Sequence, residues 1–581
     1  MIDIRKTILE KSPNFEKKLG GKQLIRFLEK ITHQDEINQF ILENQHLKGF
    51  AFLDKSLAHF NFSYQTDNRS FNHIPAEGRV IIISNHPIGS LDGLALLKLI
   101  RSVRPDVRIV ANELLNLVTP FQSLFLGVDN MSEKASHKSQ FKAMLQALEN
   151  EEALIIFPAG EVSRIRPNGV RDGKWKSGFL KLAEKTGAPI LPIYTDARNS
   201  ALFYGLSTIY KPLGTLMLVK EMFNKNDQTI HFHVGGLIPW KSIKNSRFNY
   251  KQAAQLLRKH IYRLDNQKKA AKKLPFEIEE TIAHPVDRKN LKKALKDGQL
   301  LGKTADGKII YLFDYDADSP VIREIGRLRE LTFRTVEEGT GHALDLDQYD
   351  ADYKHLVLWD DEDLEIVGAY RMGEVANILE KKGKKGLYTT TLFDLKAEFD
   401  PILPEALEMG RSFVQPRYWG KRSLDYLWYG IGAYVNHNPN IKYMFGPVSL
   451  SDAYSQEAKE IIVAFYKKQF GSDRDFAVGK RPFEVSESVK TLAETEFTGD
   501  YKEAYKKLNT ILDEYGIKVP TLFKQYAELC EPGGCRFIDF SVDPDFNNCI
   551  DSLILVELDK IKEKNGNATY LLSANIHVDT E

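Results

Sequence analysis

The N-terminal half of the chain alternates between short apolar runs and stretches of helical periodicity. The runs that predict buried strands lie at 79–84, 107–111, 153–158, 189–194 and 229–235. The stretches that predict helices lie at 91–101, 134–149 and 174–186. Strands that alternate with helices indicate a layered α/β domain. We place this domain at residues 61–240, after a helical segment at residues 1–60.

The C-terminal half predicts a different, α+β arrangement, at residues 306–581. A helix over 319–336 presents Val321, Ile325 and Leu328 on one apolar face. A second helix is predicted over 421–436, and strands are predicted at 354–359, 364–372, 406–414 and 441–446. Residues 241–305 form a basic connector between the halves. Its lysines are either a solvated face or a surface for anionic lipid.

The first predicted strand ends at a histidine, His86. The helix that follows has Ser90 as its predicted N-cap and Asp92 in its first turn. Ligands of α/β sheets bind at the edge where strands end. A nearby carboxylate can hold the imidazole in one tautomer, which frees the other nitrogen to take a proton from a hydroxyl. A cap or surface histidine is the alternative, and this stretch alone leaves it open.

Two further predicted strands carry recognisable blocks. Phe157-Pro158-Ala159-Gly160-Glu161 lies at the end of the strand 153–158, and Ala188-Pro189-Ile190-Leu191-Pro192-Ile193 lies along the strand 189–194. With Asn85-His86 and Asp92, their order resembles that of the glycerolipid (lysophospholipid-type) acyltransferases, over roughly residues 75–240. The resemblance implies that His86 is the general base and that Asp92 orients it. The residues that it assigns to the acceptor site are Asn85, Gly160, Glu161, Ser163 and Arg164.

Two departures from that family bear on the substrate. Five residues separate His86 from Asp92, one more than the family usually has, and Gly89 can absorb the extra residue. The family's glutamate before the glycine is Ala159 here, and the carboxylate follows the glycine as Glu161. We therefore expect an acceptor other than glycerol 3-phosphate.

The segment 406–414 carries a carboxylate, a glycine and a guanidinium, at Glu408, Gly410 and Arg411. Strict alternation along a strand would put Glu408 and Arg411 on opposite faces, whereas a bulge at Gly410 would bring them together. With Val367-Gly368-Ala369-Tyr370-Arg371, the motif resembles the acyl-homoserine-lactone-synthase-like branch of the GNAT fold. It is most similar to the ornithine N-acyltransferases of aminolipid synthesis, over roughly residues 310–560.

This second resemblance implies roles for three residues. Glu408 would position or deprotonate an amine, directly or through water. Arg371 and Arg411 would hold the strands, the carboxylate of an amino acid or the phosphopantetheine arm of a carrier protein, since an arginine fork suits such anions. A purely structural ion pair between Glu408 and Arg411 is the alternative.

The two resemblances together predict a bifunctional acyltransferase of bacterial aminolipid synthesis. One half would N-acylate ornithine or glycine with a 3-hydroxyacyl group, and the other would O-acylate the 3-hydroxyl of that lyso-lipid. The donors would be thioesters of acyl carrier protein or CoA, with no metal and no further cofactor. The alternative is a lysophospholipid (1-acylglycerol-phosphate) acyltransferase with an accessory GNAT-like domain.

Composition says little about the reaction, but it constrains the number of domains, the class of partner and the cellular compartment. The chain has 581 residues, 43% of them hydrophobic, which suffices for two or more domains with ordinary cores. A net charge of +1 gives no argument for a nucleic-acid partner. The three cysteines fit no zinc spacing and indicate a reducing compartment. Without a predicted signal peptide or membrane span, we expect a cytoplasmic protein, peripheral on the inner face of the cytoplasmic membrane.

Overall fold

The computed structural model describes residues 5, 9, 14, 16, 21–31, 33–110, 118–126, 133–167, 169–209, 218–265 and 274–562. The chain divides into two compact units, Met1–His284 and Pro285–Glu581, here called unit 1 and unit 2. The division falls inside the predicted connector 241–305. The lysines of that connector at 268, 269, 272 and 273 lie outside the described residues.

Unit 1 is built on a seven-stranded sheet of order β1-β9-β8-β2-β5-β3-β4. Only β8 and β9 pair antiparallel; the other neighbours in this sheet are parallel. The strands β6 and β7 form a separate hairpin. The strands of this unit are β1 (Ser63–Gln65), β2 (Val80–Ser84), β3 (Val107–Val110), β4 (Phe125–Leu126), β5 (Ala153–Ile156), β6 (Arg164–Arg166), β7 (Gly169–Arg171), β8 (Ile190–Asp196) and β9 (Thr229–Val234).

Helices cover both faces of this sheet, so its central strand is buried throughout. Val80 and Ile82 of β2 join the core on one face, and Ile81 and Ile83 join the core on the other. The helices of unit 1 lie at Gly21–Ile31, Gln34–Glu43, Gly49–His59, Asn68–Asn72, Ser90–Arg101, Glu133–Glu149, Gly178–Thr186, Ala201–Ile209, Trp240–Lys244 and Tyr250–Ile261.

Unit 1 extends further than predicted at its C-terminal end, whereas its N-terminal end has a helix inside the predicted segment 1–60. The helices Trp240–Lys244 and Tyr250–Ile261 bury Ile243 and Leu257 in the core, so the unit continues beyond residue 240. At the other end, the helix Gly21–Ile31 buries Ile25 but leaves Phe27 exposed. No helix among the described residues of either unit is long and apolar enough to cross a membrane.

Unit 2 is built on an eight-stranded sheet of order β10-β11-β12-β13-β15-β16-β19-β18. Its neighbours are antiparallel except β15 and β16, and β14 and β17 form a separate pair. The strands are β10 (Gln299–Lys303), β11 (Ile309–Phe313), β12 (Lys354–Asp360), β13 (Glu365–Glu374), β14 (Phe393–Leu395), β15 (Ala406–Val414), β16 (Tyr443–Leu450), β17 (Ala477–Gly479), β18 (Cys535–Asp543) and β19 (Cys549–Glu557).

Helices again cover this sheet on two faces. The helix Pro320–Thr335 packs with Val357 and Trp359 of β12, and the helix Ser423–His437 packs with Leu356 and Leu358 of the same strand. The other helices lie at Arg288–Ala294, Val375–Lys382, Gln456–Phe470, Glu487–Glu496, Tyr501–Glu514 and Thr521–Leu529. The predicted class, an α/β domain followed by an α+β domain, is therefore confirmed.

The parallel pair β15 and β16 opens unit 2 into a cleft. The two strands are hydrogen-bonded only at residues 406–408 and 443–445, and beyond that point each pairs with its other neighbour alone. The gap between them is a cleft of about 690 Å³. Residues 409–414 and 444–449 form its walls.

Candidate active sites

The site of unit 1 lies at the edge of the sheet where β2 and β5 end. Because these strands are parallel neighbours, His86 after β2 meets Phe157 after β5. The two rings are stacked, with centroids 4.0 Å apart and planes 22° apart. The His86 side chain is 20% exposed to solvent. The imidazole is therefore held against an apolar ring and remains accessible.

Asp92 pairs with His86 from the first turn of the next helix. Its Oδ1 lies 3.0 Å from His86 Nδ1, off the straight line of a good hydrogen bond, and its Oδ2 accepts the Ile88 N–H at 3.0 Å. Burial alone would lower the pKa of His86, but the Asp92 carboxylate outweighs it and raises that pKa above 6.5. Nε2 of His86 makes no hydrogen bond with any described residue, so it is available to a hydroxyl.

A glycine shapes the turn between the two residues. Gly89 has φ 98° and ψ −129°, a backbone conformation that essentially only glycine adopts. It lies in the loop where we expected a glycine to absorb the extra residue between His86 and Asp92. The N-cap is Gly89 and not Ser90, whose side chain makes no capping bond, so that prediction was wrong by one residue.

Asn85, next to His86 in the sequence, fixes the turn through two hydrogen bonds to the backbone of Thr195. The amide of Asn85 donates to the Thr195 carbonyl at 2.9 Å and accepts the Thr195 N–H at 2.8 Å. This pairing continues the β2–β8 ladder through a side chain. Asn85 is buried in the sheet edge, 2% exposed, so the structure gives it a supporting place beside the candidate base.

Asp172, in the loop after β7, joins the His86 turn to the segment after β5. One of its oxygens accepts from the His86 N–H at 3.3 Å and from the Ser163 hydroxyl at 2.5 Å. The other accepts from the Trp175 indole at 2.8 Å, and Ser163 N–H donates to the His86 carbonyl at 2.7 Å. Burial raises the pKa of this carboxyl despite these bonds. The Ser163 side chain is thus turned inward.

The other predicted acceptor residues, Gly160, Glu161 and Arg164, also follow the end of β5 and are more exposed to solvent than Ser163. Gly160 has φ 68°, and a Cβ there would lie 3.3 Å from Lys176 Nζ. Glu161 Oε2 lies 3.7 Å from Arg164 Nε, and 14% of the Arg164 side chain is exposed. This segment therefore gathers the cationic groups of Arg164 and Lys176, which suits an acceptor that carries an anion.

In unit 2, Glu408 of β15 is sealed inside the fold. Its Oε1 accepts from the N–H and the hydroxyl of Thr389, each at 2.6 Å, and its Oε2 accepts from the Tyr353 hydroxyl. The residue is 1% exposed and does not line the cleft. Burial, only partly offset by these bonds, raises the pKa of its carboxyl. Glu408 therefore fixes the segment at Tyr388 and Thr389.

Arg411, three residues later, does line the cleft. Its guanidinium contacts Asp345 at 3.1 Å and the Tyr388 hydroxyl at 3.0 Å, and lies 4.7 Å from the Tyr388 ring centroid. Arg371 lies 5.0 Å from the same ring centroid and pairs with Asp347 at 2.7 Å. Arg371 is 1% exposed and does not line the cleft.

Glu408 and Arg411 do not meet, so the arrangement expected from a bulge at Gly410 is not formed. The bulge exists, but the extra residue is at positions 411–412 and not at Gly410, because Gly410 still pairs with Arg371. Arg411 itself takes a left-handed backbone, with φ 47°. No ion pair joins the two side chains, which bond to different partners, so the structural ion pair considered as an alternative is also not formed.

Two family models match the chain, one in each unit. Residues 6–271 match the Acyltransferase family, and residues 328–429 match the Acetyltransferase (GNAT) domain family. A glycine N(alpha)-acyltransferase of Phocaeicola vulgatus is 33% identical over 49% of this chain and 91% of its own length. A lyso-glycine lipid O-acyltransferase of Bacteroides thetaiotaomicron is 31% identical over 45% of this chain and 97% of its own length. An L-ornithine N(alpha)-acyltransferase of Brucella abortus is 29% identical over 24% of this chain and 59% of its own length.

The chain belongs to the aminolipid acyltransferases. It joins in one polypeptide the two kinds of domain that its relatives carry separately, and it is a bifunctional enzyme of N- and then O-acylation in aminolipid synthesis. The predicted recognition and reaction class are confirmed.

Several residues of this aminolipid acyltransferase escaped the sequence analysis. In unit 1 the omission is Asp172, whose neighbours in the sequence give no signal of its contact with a turn 86 residues earlier. In unit 2 the closely spaced acids Asp345, Asp347 and Asp350 were a signal that we did not use. They hold the arginines Arg329, Arg371 and Arg411.

Proposed function

We propose that this enzyme makes a glycine lipid. Unit 2 would join a 3-hydroxyacyl group to the α-amine of glycine, and unit 1 would then esterify the 3-hydroxyl of the product. The observation that carries the proposal is the near-complete coverage of two glycine-lipid relatives, 91% of one and 97% of the other. The ornithine enzyme is covered over only 59% of its length, which favours glycine over ornithine.

For the O-acylation, His86 would act as the base. Its Nε2 would take the proton of the 3-hydroxyl while the oxygen attacks the acyl thioester, and Asp92 on Nδ1 would hold the tautomer and stabilise the imidazolium. Asn85 and Ser163 would keep this turn in place through their bonds to Thr195 and Asp172. A glycine lipid has no phosphate but keeps a free carboxylate, which Arg164, beside Gly160 and Glu161, would bind.

For the N-acylation, the cleft between β15 and β16 would receive the thioester and the amino acid. Arg411 would bind the carboxylate of the amino acid or the phosphopantetheine arm of acyl carrier protein. Glu408 and Arg371 would act through Tyr388, whose segment and ring they hold. The lyso-lipid, which is the product of unit 2 and the acceptor of unit 1, is amphiphilic, and so is the final lipid. We therefore propose that the enzyme works as a peripheral protein on the inner face of the cytoplasmic membrane.

Expression in a bacterial host without aminolipids, followed by mass spectrometry of its lipids, tests the proposal. We expect new phosphorus-free lipids that release glycine and two acyl chains on hydrolysis. Release of ornithine in place of glycine would keep the reaction class and overturn the substrate. A change confined to the acyl composition of phospholipids would favour the lysophospholipid acyltransferase alternative. Purified protein offered acyl carrier protein and CoA thioesters in parallel would identify the donor of each half.

A further inference from the structure

The cleft of unit 2 contains two buried carboxylates that none of the roles above uses. Glu338 follows the helix Pro320–Thr335, and Asp551 lies on β19; both line the cleft. They are 7% and 6% exposed. Arg411 lines the same cleft, so acidic and cationic groups share one cavity.

The two carboxylates are grouped around one serine. Glu338 Oε2 accepts from the Ser449 hydroxyl at 2.8 Å. Ser449 on β16 is the direct cross-strand partner of Asp551 on β19, so their side chains lie on the same face of the sheet. The thiol of Cys549, two residues before Asp551, lies 3.8 Å from an Asp551 oxygen.

Neither carboxylate has a cation of its own among the described residues. Glu338 forms no ion pair, and Asp551 forms none. A buried carboxylate without a cation is costly, and it is either protonated or neutralised by a ligand. Burial raises the pKa of Glu338 to about 7 and the pKa of Asp551 well above its usual value. Near neutral pH, Glu338 can therefore accept a proton, and a bound cation would favour the ionised form of both carboxylates.

This arrangement complements an α-amino acid. The ammonium needs acceptors of negative charge, which Glu338 and Asp551 provide, and the carboxylate needs a cation, which Arg411 provides. Glu408, by contrast, has both oxygens occupied and lies outside the cleft. A base for the amine must reach its proton within hydrogen-bond distance. Glu338 meets this requirement better than Glu408.

We propose that Glu338 and Asp551 bind the amine of the acceptor amino acid and that Glu338 removes its proton. This assignment rests on the proposed N-acyltransferase function of unit 2. The ammonium gives one proton to Glu338, and the freed nitrogen lone pair attacks the thioester carbon. A C–N bond forms, the C–S bond breaks, and the second nitrogen proton goes to the departing thiolate. Glu338 then releases its proton to solvent.

The decisive variant is Glu338→Gln in the full chain, assayed with glycine and a 3-hydroxyacyl thioester of acyl carrier protein. We expect kcat for amide formation to fall about 100-fold or more, as for loss of a general base. Asp551→Asn should instead raise KM for glycine, about tenfold, with a smaller change in kcat. The matched control is Glu337→Gln, which changes the exposed glutamate next to Glu338 in the sequence and should leave both constants unchanged.

The pH profile supplies a readout that a merely structural role would not move. Amide formation should fall on the acid side as Glu338 becomes protonated, with a midpoint near the pKa of about 7. Ser449→Ala removes a bond that favours the ionised carboxylate, so this midpoint should shift to higher pH. The titratable and charged groups around the pair are Asp551, Cys549, Asp543, Arg411 and Tyr454.

Ser449→Ala also provides a second test if Glu338→Gln fails to fold. It removes only one hydroxyl from β16 and leaves the Glu338 carboxylate in place. A wild-type kcat and pH profile in both variants would overturn the assignment of Glu338. If the wild-type enzyme forms no amide with glycine or ornithine, the proposed function itself fails and this site fails with it. Amide formation by the wild type that is unaffected by Glu338→Gln would overturn only the base.

Discussion

The two sites place their candidate catalytic groups differently. His86 of unit 1 is at the open edge of a sheet, with one nitrogen paired to Asp92 and the other free. Glu408 of unit 2 is inside the sheet, with both oxygens bonded to Tyr353 and Thr389. The first geometry is that of a group that exchanges a proton with a substrate. The second is that of a group that holds other residues in place.

This difference shows why a motif and a role are separate inferences. In unit 1 the acid and the base are close in sequence, and one turn brings them together. In unit 2 the motif residues Glu408 and Arg411 are also close in sequence, but the bulge at 411–412 sends them to different partners. The two buried carboxylates that do line the cleft, Glu338 and Asp551, are 213 positions apart by their numbers in the chain.

The largest expected effect is that of His86→Ala. Loss of the base should lower ester formation from supplied lyso-lipid by about 10³-fold, and amide formation should remain, because unit 2 has its own cleft. Both products are measured by mass spectrometry on the same purified sample. The exposed His46 offers a matched control, and His46→Ala should leave both activities intact. Loss of the amide in His86→Ala would contradict the independence of the two sites.

Asp92→Asn should come next, lowering ester formation by about 10²-fold, since the amide no longer stabilises an imidazolium on Nδ1. It should also change the pH profile. The base is active only when neutral, and Asp92 raises the pKa of His86, so wild-type activity should fall on the acid side with a midpoint above 6.5. Without the carboxylate this midpoint should move to lower pH. An unchanged midpoint would argue against the pairing.

Glu408→Gln tests whether Glu408 of unit 2 holds other residues in place or takes the proton itself. The amide nitrogen cannot accept a hydrogen bond, so either Tyr353 or Thr389 loses its partner. We expect amide formation to fall about tenfold, with no shift of its pH midpoint, because the proton is taken elsewhere. Supplied lyso-lipid should still be esterified at the wild-type rate. Glu398→Gln, at an exposed position, is the control. A displaced pH midpoint would identify Glu408 as the base after all.

Gly89→Ala should have the smallest effect on activity. An alanine at φ 98° costs about 1–3 kcal/mol, which should appear as a lower free energy of unfolding of unit 1 in denaturant titration. The displaced turn should also lower ester formation several-fold. Gly178→Ala is the matched control, since a Cβ at Gly178 meets nothing within 4 Å and the residue has no positive φ. Equal stability of the two variants would contradict the role given to Gly89.

The sequence by itself determined the local elements and the local pairing. Apolar runs of strand length predicted β2, β5 and β8, because a strand buried on both faces must be apolar throughout. The pairing of His86 with Asp92 was predictable because a strand end, a glycine turn and a helix start place them together. Their bonding is settled within seven residues of chain.

Only the tertiary structure decided what faces the cleft of unit 2 and what surrounds His86. Asp172 reaches the His86 turn from another loop, and Glu338 reaches Ser449 from the end of a helix 111 residues earlier. Such contacts depend on how helices and strands pack, which no local pattern records. The bulge at Arg411 is likewise a property of the β13–β15 register. A one-residue change of register reverses which side chains face a cavity, and that is why the roles within unit 2 required the structure.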